Sequence, residues 1–498
     1  MELAYFALSW TPVLLLTLLA VGFKRTALEL AIYGVAFTAG LTHLAFGTPL
    51  GVILLAALDG VVTILPLLLV VLAGILLSNL LVATGSIQRL VQWFLQGLRH
   101  PRRRHLFISL GIGNFLEGAS VIAEPIVAPM LRAAGVSPAG AAALSIIGYA
   151  GLMGIKMAGI IITVLALVTG LPFNDLAVAT AWLSVPAVLA MAACLPWFLP
   201  ATDGGWGALP LALQSGLLVS LAALAATLTL GVALAGMIGG LALMAAHLRL
   251  AAHRTAWTRE LGRDLLPFAC ILVPLLLVNT VLWLKELTGQ RWVWQVRVVP
   301  SHQITLTPLF SAYLYLLVAL GVAVVAFRRR IQATQVLRAG LRQAWRALAA
   351  MGLFGAMGQI IAYSGYGPGF GHLHQARNIP WVLAMGLKTY TGSWYPLFVP
   401  LLGWVGTFLT GYGVASLMLF GELQVHAAGL LKVSAVWLAA GLTVGSSLGS
   451  VSSPFKIALA APMCGALGQE GQILRRTIPL GLAAALLVGG ILWLVEVW

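Results

Sequence analysis

About twelve stretches of roughly twenty apolar residues follow one another along this chain, with short arginine-rich runs between them. That alternation admits one class of fold. A helix needs about twenty apolar residues to cross a bilayer, and the stretches fall near residues 3–23, 27–48, 60–84, 138–170, 176–198, 208–228, 229–247, 265–285, 303–327, 347–366, 434–468 and 477–497. The cut between 208 and 247 is the least sharply marked. Only 8% of the 498 residues are charged and 61% are hydrophobic, whereas a soluble domain carries roughly a quarter of its residues charged. Such a chain cannot clothe a water-facing surface. It reads as an all-α polytopic membrane protein, partnered by the lipid bilayer, with no stretch polar enough for a separate soluble domain.

The formal charge of +15 would suggest nucleic acid in a soluble protein. Here the basic residues gather in Arg99–Arg104, Arg249–Arg263 and Arg328–Arg346, the pattern of cytoplasmic loops under the positive-inside rule, so no nucleic acid partner is expected. Lysine and arginine are missing from the first twenty-three residues and return at Lys24 and Arg25. The N-terminus is therefore expected outside. Walking the spans puts Arg89–Arg104, Arg249–Arg263, Arg328–Arg346 and Arg475–Arg476 inside, and leaves Lys285, Arg291 and Arg297 as one discordant loop outside. The opening segment lacks a basic start and a small-residue cleavage site, so it reads as a retained span. Cys194, Cys270 and Cys464 show no paired spacing, and the histidines, His43, His247, His302 and His426 among them, show no metal-ligand spacing. No cofactor and no metal are expected.

Two regions are apolar yet broken by glycine, proline and acidic side chains, and they share a phrase: GNFLEGAS at Gly113–Ser120 and GTFLTGYG at Gly406–Gly413. Each must enter and leave on one side for the charges to close. They are expected to be re-entrant hairpins at 106–131 and 396–430. Val-Ser recurs in step after both, at 136–137 and 433–434. The resulting division is an N-terminal span at 1–26, a first repeat at 27–200, connecting spans at 201–302, and a second repeat of inverted topology at 303–498. Inverted repeats with broken helices are a secondary-transporter architecture.

Non-helical backbone at membrane depth is tolerated only where protein buries it or a wet cavity lines it. Hairpin tips therefore need glycine and hydroxyl side chains, and their free N–H groups favour an anion. Small-residue helix packing is the bland alternative. The expected substrate-binding set is Glu117, Gly118, Ser120, Tyr149 and Lys156 from the first half, with Thr410, Gly411, Tyr412, Ser416, Ser447, Ser450, Ser453 and Lys456 from the second. Ionisable residues within spans are functional candidates by default. Glu117 and Glu124, seven apart and on one face if that stretch is helical, are the candidate coupling-ion carriers; a carboxylate that caps the hairpin or pairs with Lys156 is the alternative. Ser446, Ser447, Ser450, Ser452, Ser453 and Pro454 mark an unwound break. Gln359, Tyr363 and Ser364 either face the site or pack, and Asp59 reads as interfacial.

FLEGAS and the block PLFVPLLGWVGTFLTGYGVASLMLFGELQ at Pro396–Gln424 resemble the lactate permease family, as do ILLSNLLVATGSIQRL at Ile75–Leu90, AYSG at Ala362–Gly365 and the Ser453–Pro454 pair. The resemblance covers roughly 60–175 and 345–480. It implies a bacterial cytoplasmic-membrane transporter of 2-hydroxy acids such as lactate or glycolate, typically with protons. The chain departs from the family at Val121–Pro125, at Gly411–Leu417 and at Gly449–Phe455, where the family carries GFGTP, GSDTSSN and a GKMISPQ-like segment. Glu124, Lys156 and Lys456 then read as a rearranged charge set. The leading expectation is a proton symporter of a small organic anion working by alternating access. Sodium-coupled transport of a different carboxylate or sulfonate is the alternative. A membrane-embedded transferase lacks the motifs it would need, and no enzyme activity is expected; homo-oligomerisation stays open.

Overall fold

The computed structural model describes residues 3–23, 25–96, 98, 100–249, 257–328 and 332–497. Lys24, Arg99, Arg254, Arg329 and Arg330, all from the runs expected inside, lie outside the described residues. The chain is helical nearly throughout. The first half runs α1 (Leu3–Thr17), α2 (Ala27–Leu44), α3 (Leu50–Thr63), α4 (Leu65–Ala83), α5 (Ser86–Leu95), α6 (Pro101–Leu106), a π-helical stretch Phe107–Ile112, α7 (Gly113–Gly118), α8 (Glu124–Ala133), α9 (Pro138–Ala150), α10 (Ile160–Thr169) and α11 (Phe173–Cys194). Connecting elements are α12 (Leu209–Thr229), α13 (Ala235–Arg249), α14 (Arg259–Thr280), α15 (Leu282–Glu286) and the strands β1 (Trp294–Val299) and β2 (His302–Leu306). The second half comprises α16 (Ala312–Phe327), α17 (Ala333–Ala362), α18 (Ile379–Thr391), α19 (Tyr395–Thr410), α20 (Gly413–Leu431), α21 (Ala435–Gly449), α22 (Pro454–Cys464) and α23 (Glu470–Val497).

Eleven helices among the described residues are long and apolar enough to cross a membrane. Leucines and other large apolar side chains stay exposed on their outer faces, for example Leu54, Leu221, Val273 and Leu487. In water those faces would aggregate; against lipid they are satisfied. The protein is a multi-pass membrane protein. The 303–327 stretch differs from expectation, because its first third is strand and turn and the helix starts only at Ala312. The 60–84 span begins at Leu65 after the separate helix α3, and the doubtful 208–247 boundary falls at Leu230–Gly231, where Gly231 has a φ of 96°.

Both halves repeat one order of elements: a helical hairpin, then an interrupted helix. The first hairpin turns at Ala119–Ala123 between α7 and α8, and the second at Gly411–Tyr412 between α19 and α20. The doubled Val-Ser has a local cause. Ser137 Oγ accepts the Gly140 N–H at 3.2 Å and Ser434 Oγ that of Trp437 at 3.4 Å, so each serine caps the helix that follows a hairpin. α9 and α10 are interrupted at Gly151–Gly159, with Met157 and Ala158 both at φ 52°; α21 and α22 are interrupted at Ser450–Ser453. The first interruption packs against α21 ahead of the second: a Cβ on Gly154 would lie 3.0 Å from Thr443 Cγ2 and 3.1 Å from Ser447 Oγ.

α2 and α3 pack on α17, α4 on α16, α13 on α7, and α19 on α21 and α23. The arginine-rich loops on one end are tied by Arg89, whose Nε and Nη2 donate to Asp264 at 2.7 and 2.6 Å, joining α5 to α14. At the opposite end β2 is latched by His302, with Nδ1 at 2.6 Å from Asp59 Oδ2 in α3 and Nε2 at 2.9 Å from the Leu167 carbonyl in α10. Asp59 is fully buried, which places it inside the protein and not at an interface with the headgroups. Burial works against the imidazolium of His302, but the hydrogen bond and charge of Asp59, the Leu167 carbonyl and the charge of Glu422 outweigh it and raise its pKa above the ordinary value. A raised folded-state value contributes stability that is complete below the ordinary histidine range and fades as pH rises through the raised value. Hydrogen-exchange protection of β1 and β2, corrected for intrinsic exchange, is therefore expected to fall on that rise. His302→Gln should flatten the profile; an unchanged profile would show that the latch does not hold the hairpin.

Candidate functional site

The charged residues expected from both halves converge behind the first hairpin tip. Glu124 opens α8 and accepts two hydrogen bonds on Oε1, from Lys456 Nζ at 2.8 Å and from the Tyr149 hydroxyl at 2.5 Å. Lys456 also donates to the Tyr149 hydroxyl at 3.2 Å. Lys156 sits in the interruption between α9 and α10, donates to the Tyr149 carbonyl at 2.5 Å, and lies 4.6 Å from the centroid of the Tyr149 ring. Glu117, at the end of α7, accepts the Ala123 N–H at 2.8 Å and so closes the tip on itself. Glu117 and Glu124 are not two positions on one helical face, because the 119–123 turn separates them. Glu124 pairs with Lys456, and not with Lys156.

The balance of this cluster matters. Two carboxylates face two ammonium groups, but only one ion pair forms, Glu124 with Lys456. Among the described residues no carboxylate lies within ion-pair distance of Lys156, whose residue is 0% exposed. Its direct contacts are a carbonyl and an aromatic face, with Glu117 and Glu124 acting on it through charge and without pairing. A buried ammonium so placed is costly unless an anion joins it. Buried polar atoms without a partner include Glu124 Oε2 in the cluster, Ser120 Oγ at the first tip and the Tyr412 hydroxyl at the second. Each costs about 1–3 kcal/mol when left unmet.

Of the other expected residues, Gly118 makes the close approach: α7 meets α13 backbone to backbone, and a Cβ on Gly236 would lie 2.9 Å from Gly118 Cα. Ser120 takes φ 60° at the tip. Gly411 has φ 80° and lies under Phe455, whose ring is 4.9 Å from that of Tyr412. Thr410 donates to the Gly406 and Tyr412 carbonyls at 2.7 and 3.1 Å, and Ser416 to Gly403 at 3.0 Å, so both are engaged in closing their own hairpin. Ser447 bonds within α21 and Ser453 caps α22. Ser450 is buried in the interruption. The second tip thus contributes Tyr412 beside α22, while the charge comes from Lys456. Ser364 Oγ accepts the Ile379 N–H at 2.7 Å and serves packing.

Sequence reasoning missed three polar side chains in these elements. Asn114 donates to the Leu110 and Gly148 carbonyls at 2.6 and 2.9 Å and pins α7 to α9. Thr180 and Thr407 are buried with free hydroxyls. Thr407 lies inside the repeated GTFLTG phrase, which was the available signal.

A family model described as L-lactate permease matches residues 5–265 and 293–498. The chain belongs to the L-lactate permease family. Within the family, it is 40% identical over 99 residues to glycolate permease GlcA of Escherichia coli (strain K12), a match covering 20% of this chain and 18% of that protein. The segment shared with that relative is thus less than a fifth of the relative's own length. An L-lactate permease of Halalkalibacterium halodurans is 24% identical over 530 residues, covering 98% of this chain and 94% of that one. Among solved structures, the Alcanivorax borkumensis YdaH transporter aligns over 94% of this chain and 98% of its own, at 12% identity and a TM-score of 0.48.

Proposed function

We propose that the chain is a secondary active transporter of a short organic anion, a 2-hydroxy carboxylate of the lactate or glycolate kind, in a bacterial cytoplasmic membrane. The observation that carries this reading is the unpaired Lys156 ammonium in a helix interruption, beside an ion pair assembled from both halves of the chain. With Glu117 carrying a proton, one carboxylate faces two ammonium groups, and a substrate carboxylate seated on Lys156 would balance the remaining charge. Membership of a family of lactate and glycolate permeases supports the substrate class. The hairpins are read as re-entrant from opposite faces, the two halves as inverted repeats, and Glu117 as the proton carrier. The cluster is largely buried in this conformation, which fits an occluded state of an alternating-access cycle.

Uptake of labelled lactate and glycolate into proteoliposomes under an imposed pH gradient tests this. Accumulation should collapse with a protonophore and persist when sodium is replaced by choline. Glu117→Gln should remove the dependence on the pH gradient while leaving counterflow of labelled substrate. Accumulation that follows sodium and ignores the protonophore would replace the proton with sodium; no uptake of any short carboxylate would end the reading.

A further inference from the structure

A cavity of about 830 Å³ opens at the β1–β2 end, between α10, α11, the end of α12 and the hairpin. It is far larger than a short hydroxy acid and contains none of the charge cluster. Its lining holds Lys285, His302 and many amides and hydroxyls, and no aspartate or glutamate among the described residues. Asp59, the carboxylate hydrogen-bonded to His302, is absent from the lining, so the imidazole stands between it and the cavity. Beneath lies a second space of about 30 Å³, sharing Thr163, Phe173, Val232, Asn279, Thr307 and Phe310 with the first and reaching Ala158. Ala158 follows Lys156 by two residues. Two adjoining spaces therefore lie between the hairpin end and Ala158 in the interruption, with those six residues as their shared wall and Lys156 in the lining of neither.

The charge of this end is unusual. Lys285, Arg291 and Arg297 lie in a basic loop, with Glu286 among them, on the side where the positive-inside rule expects few. Exposed Asp175 and Glu286 stand next to the lining residues Asn174 and Lys285, but the lining itself holds a lysine and no carboxylate among the described residues. A low-dielectric recess lined by one sign of charge raises the local concentration of the opposite ion. We infer that this cavity is an anion-collecting vestibule, in which Lys285 draws carboxylates from the surrounding water toward the Asn279–Thr307–Phe310 wall that it shares with the space reaching Ala158. The substrate assignment rests on the function proposed above; the charge selectivity of the vestibule does not. The misplaced basic loop thereby acquires a cause, since topology alone does not ask for it.

The test uses the full chain with Cys194, Cys270 and Cys464 replaced by serine and a single Thr305→Cys or Ala158→Cys added, in right-side-out vesicles. Membrane-impermeant anionic and cationic thiosulfonates are compared at low ionic strength. The anionic reagent should label Thr305→Cys several-fold faster than the cationic one. Lys285→Gln or 0.3 M salt should cut that advantage by about threefold, and Ala158→Cys should be labelled more slowly from the same side. In uptake, Lys285→Gln should raise the half-saturating lactate concentration about threefold and leave the maximal rate unchanged. Equal rates for the two reagents, or a preference that Lys285→Gln leaves intact, would overturn the vestibule. An intact anion preference in vesicles that take up no carboxylate would uphold it and count against the proposed substrate.

Discussion

Lys156→Gln is expected to raise the half-saturating concentration of lactate or glycolate by about 10- to 100-fold while leaving the protein folded. A hydrogen bond to a charged group contributes about 1.5–3 kcal/mol, and about 1.4 kcal/mol corresponds to a factor of ten. The fold should survive because the Lys156 ammonium has no carboxylate to orphan; its hydrogen bond goes to the Tyr149 carbonyl, which an amide N–H can also reach. Its neighbour Gly236 leaves little slack, with a Cβ there lying 2.8 Å from Lys156 Cγ, so a side chain no longer than lysine is the right replacement. Concentration-dependent uptake in proteoliposomes, beside thermal unfolding in detergent, reads both effects. Unaltered half-saturation would mean that the substrate carboxylate is held elsewhere.

The Glu124–Lys456 pair should behave in the opposite way. Glu124 is fully buried and Lys456 keeps only 12% of its side chain exposed, so neither charge can retreat to water when its partner is removed. Breaking a buried pair typically costs about 3–5 kcal/mol, whereas replacing both partners is often close to neutral. Glu124→Gln and Lys456→Met are each expected to lower the unfolding temperature markedly, and the double variant to regain most of the loss. The coupling should exceed about 1 kcal/mol in a double-mutant cycle. Additive losses would show that the two halves are not joined through this contact.

What could be read from the sequence follows from what each signal encodes. Spans were legible because a bilayer demands long unbroken apolar runs, and most expected intervals coincide with helices. The hairpins and interruptions were legible because glycine, proline and hydroxyls are out of place at that depth. α3 and α18 were not, because helices of 14 and 13 residues merge with their apolar surroundings in a sequence window. The β1–β2 hairpin carried its own signal, alternation in WQVRVV and HQITL around Pro300–Ser301, which a search for helical spans passes over. Within the charge cluster the members were identifiable one by one as ionisable residues in apolar surroundings. Their pairing was not, since Glu124 meets Lys456 from the other half of the chain, and such distant partnerships leave no trace in local spacing.

The contact of Gly118 with Gly236 carries a mechanical consequence. With no side chain between them, the two backbones touch directly, and a methyl group added at either position would force them apart. Gly118→Ala or Gly236→Ala would therefore lift the tip bearing Glu117 off the helix behind it and loosen the wall of the charge cluster.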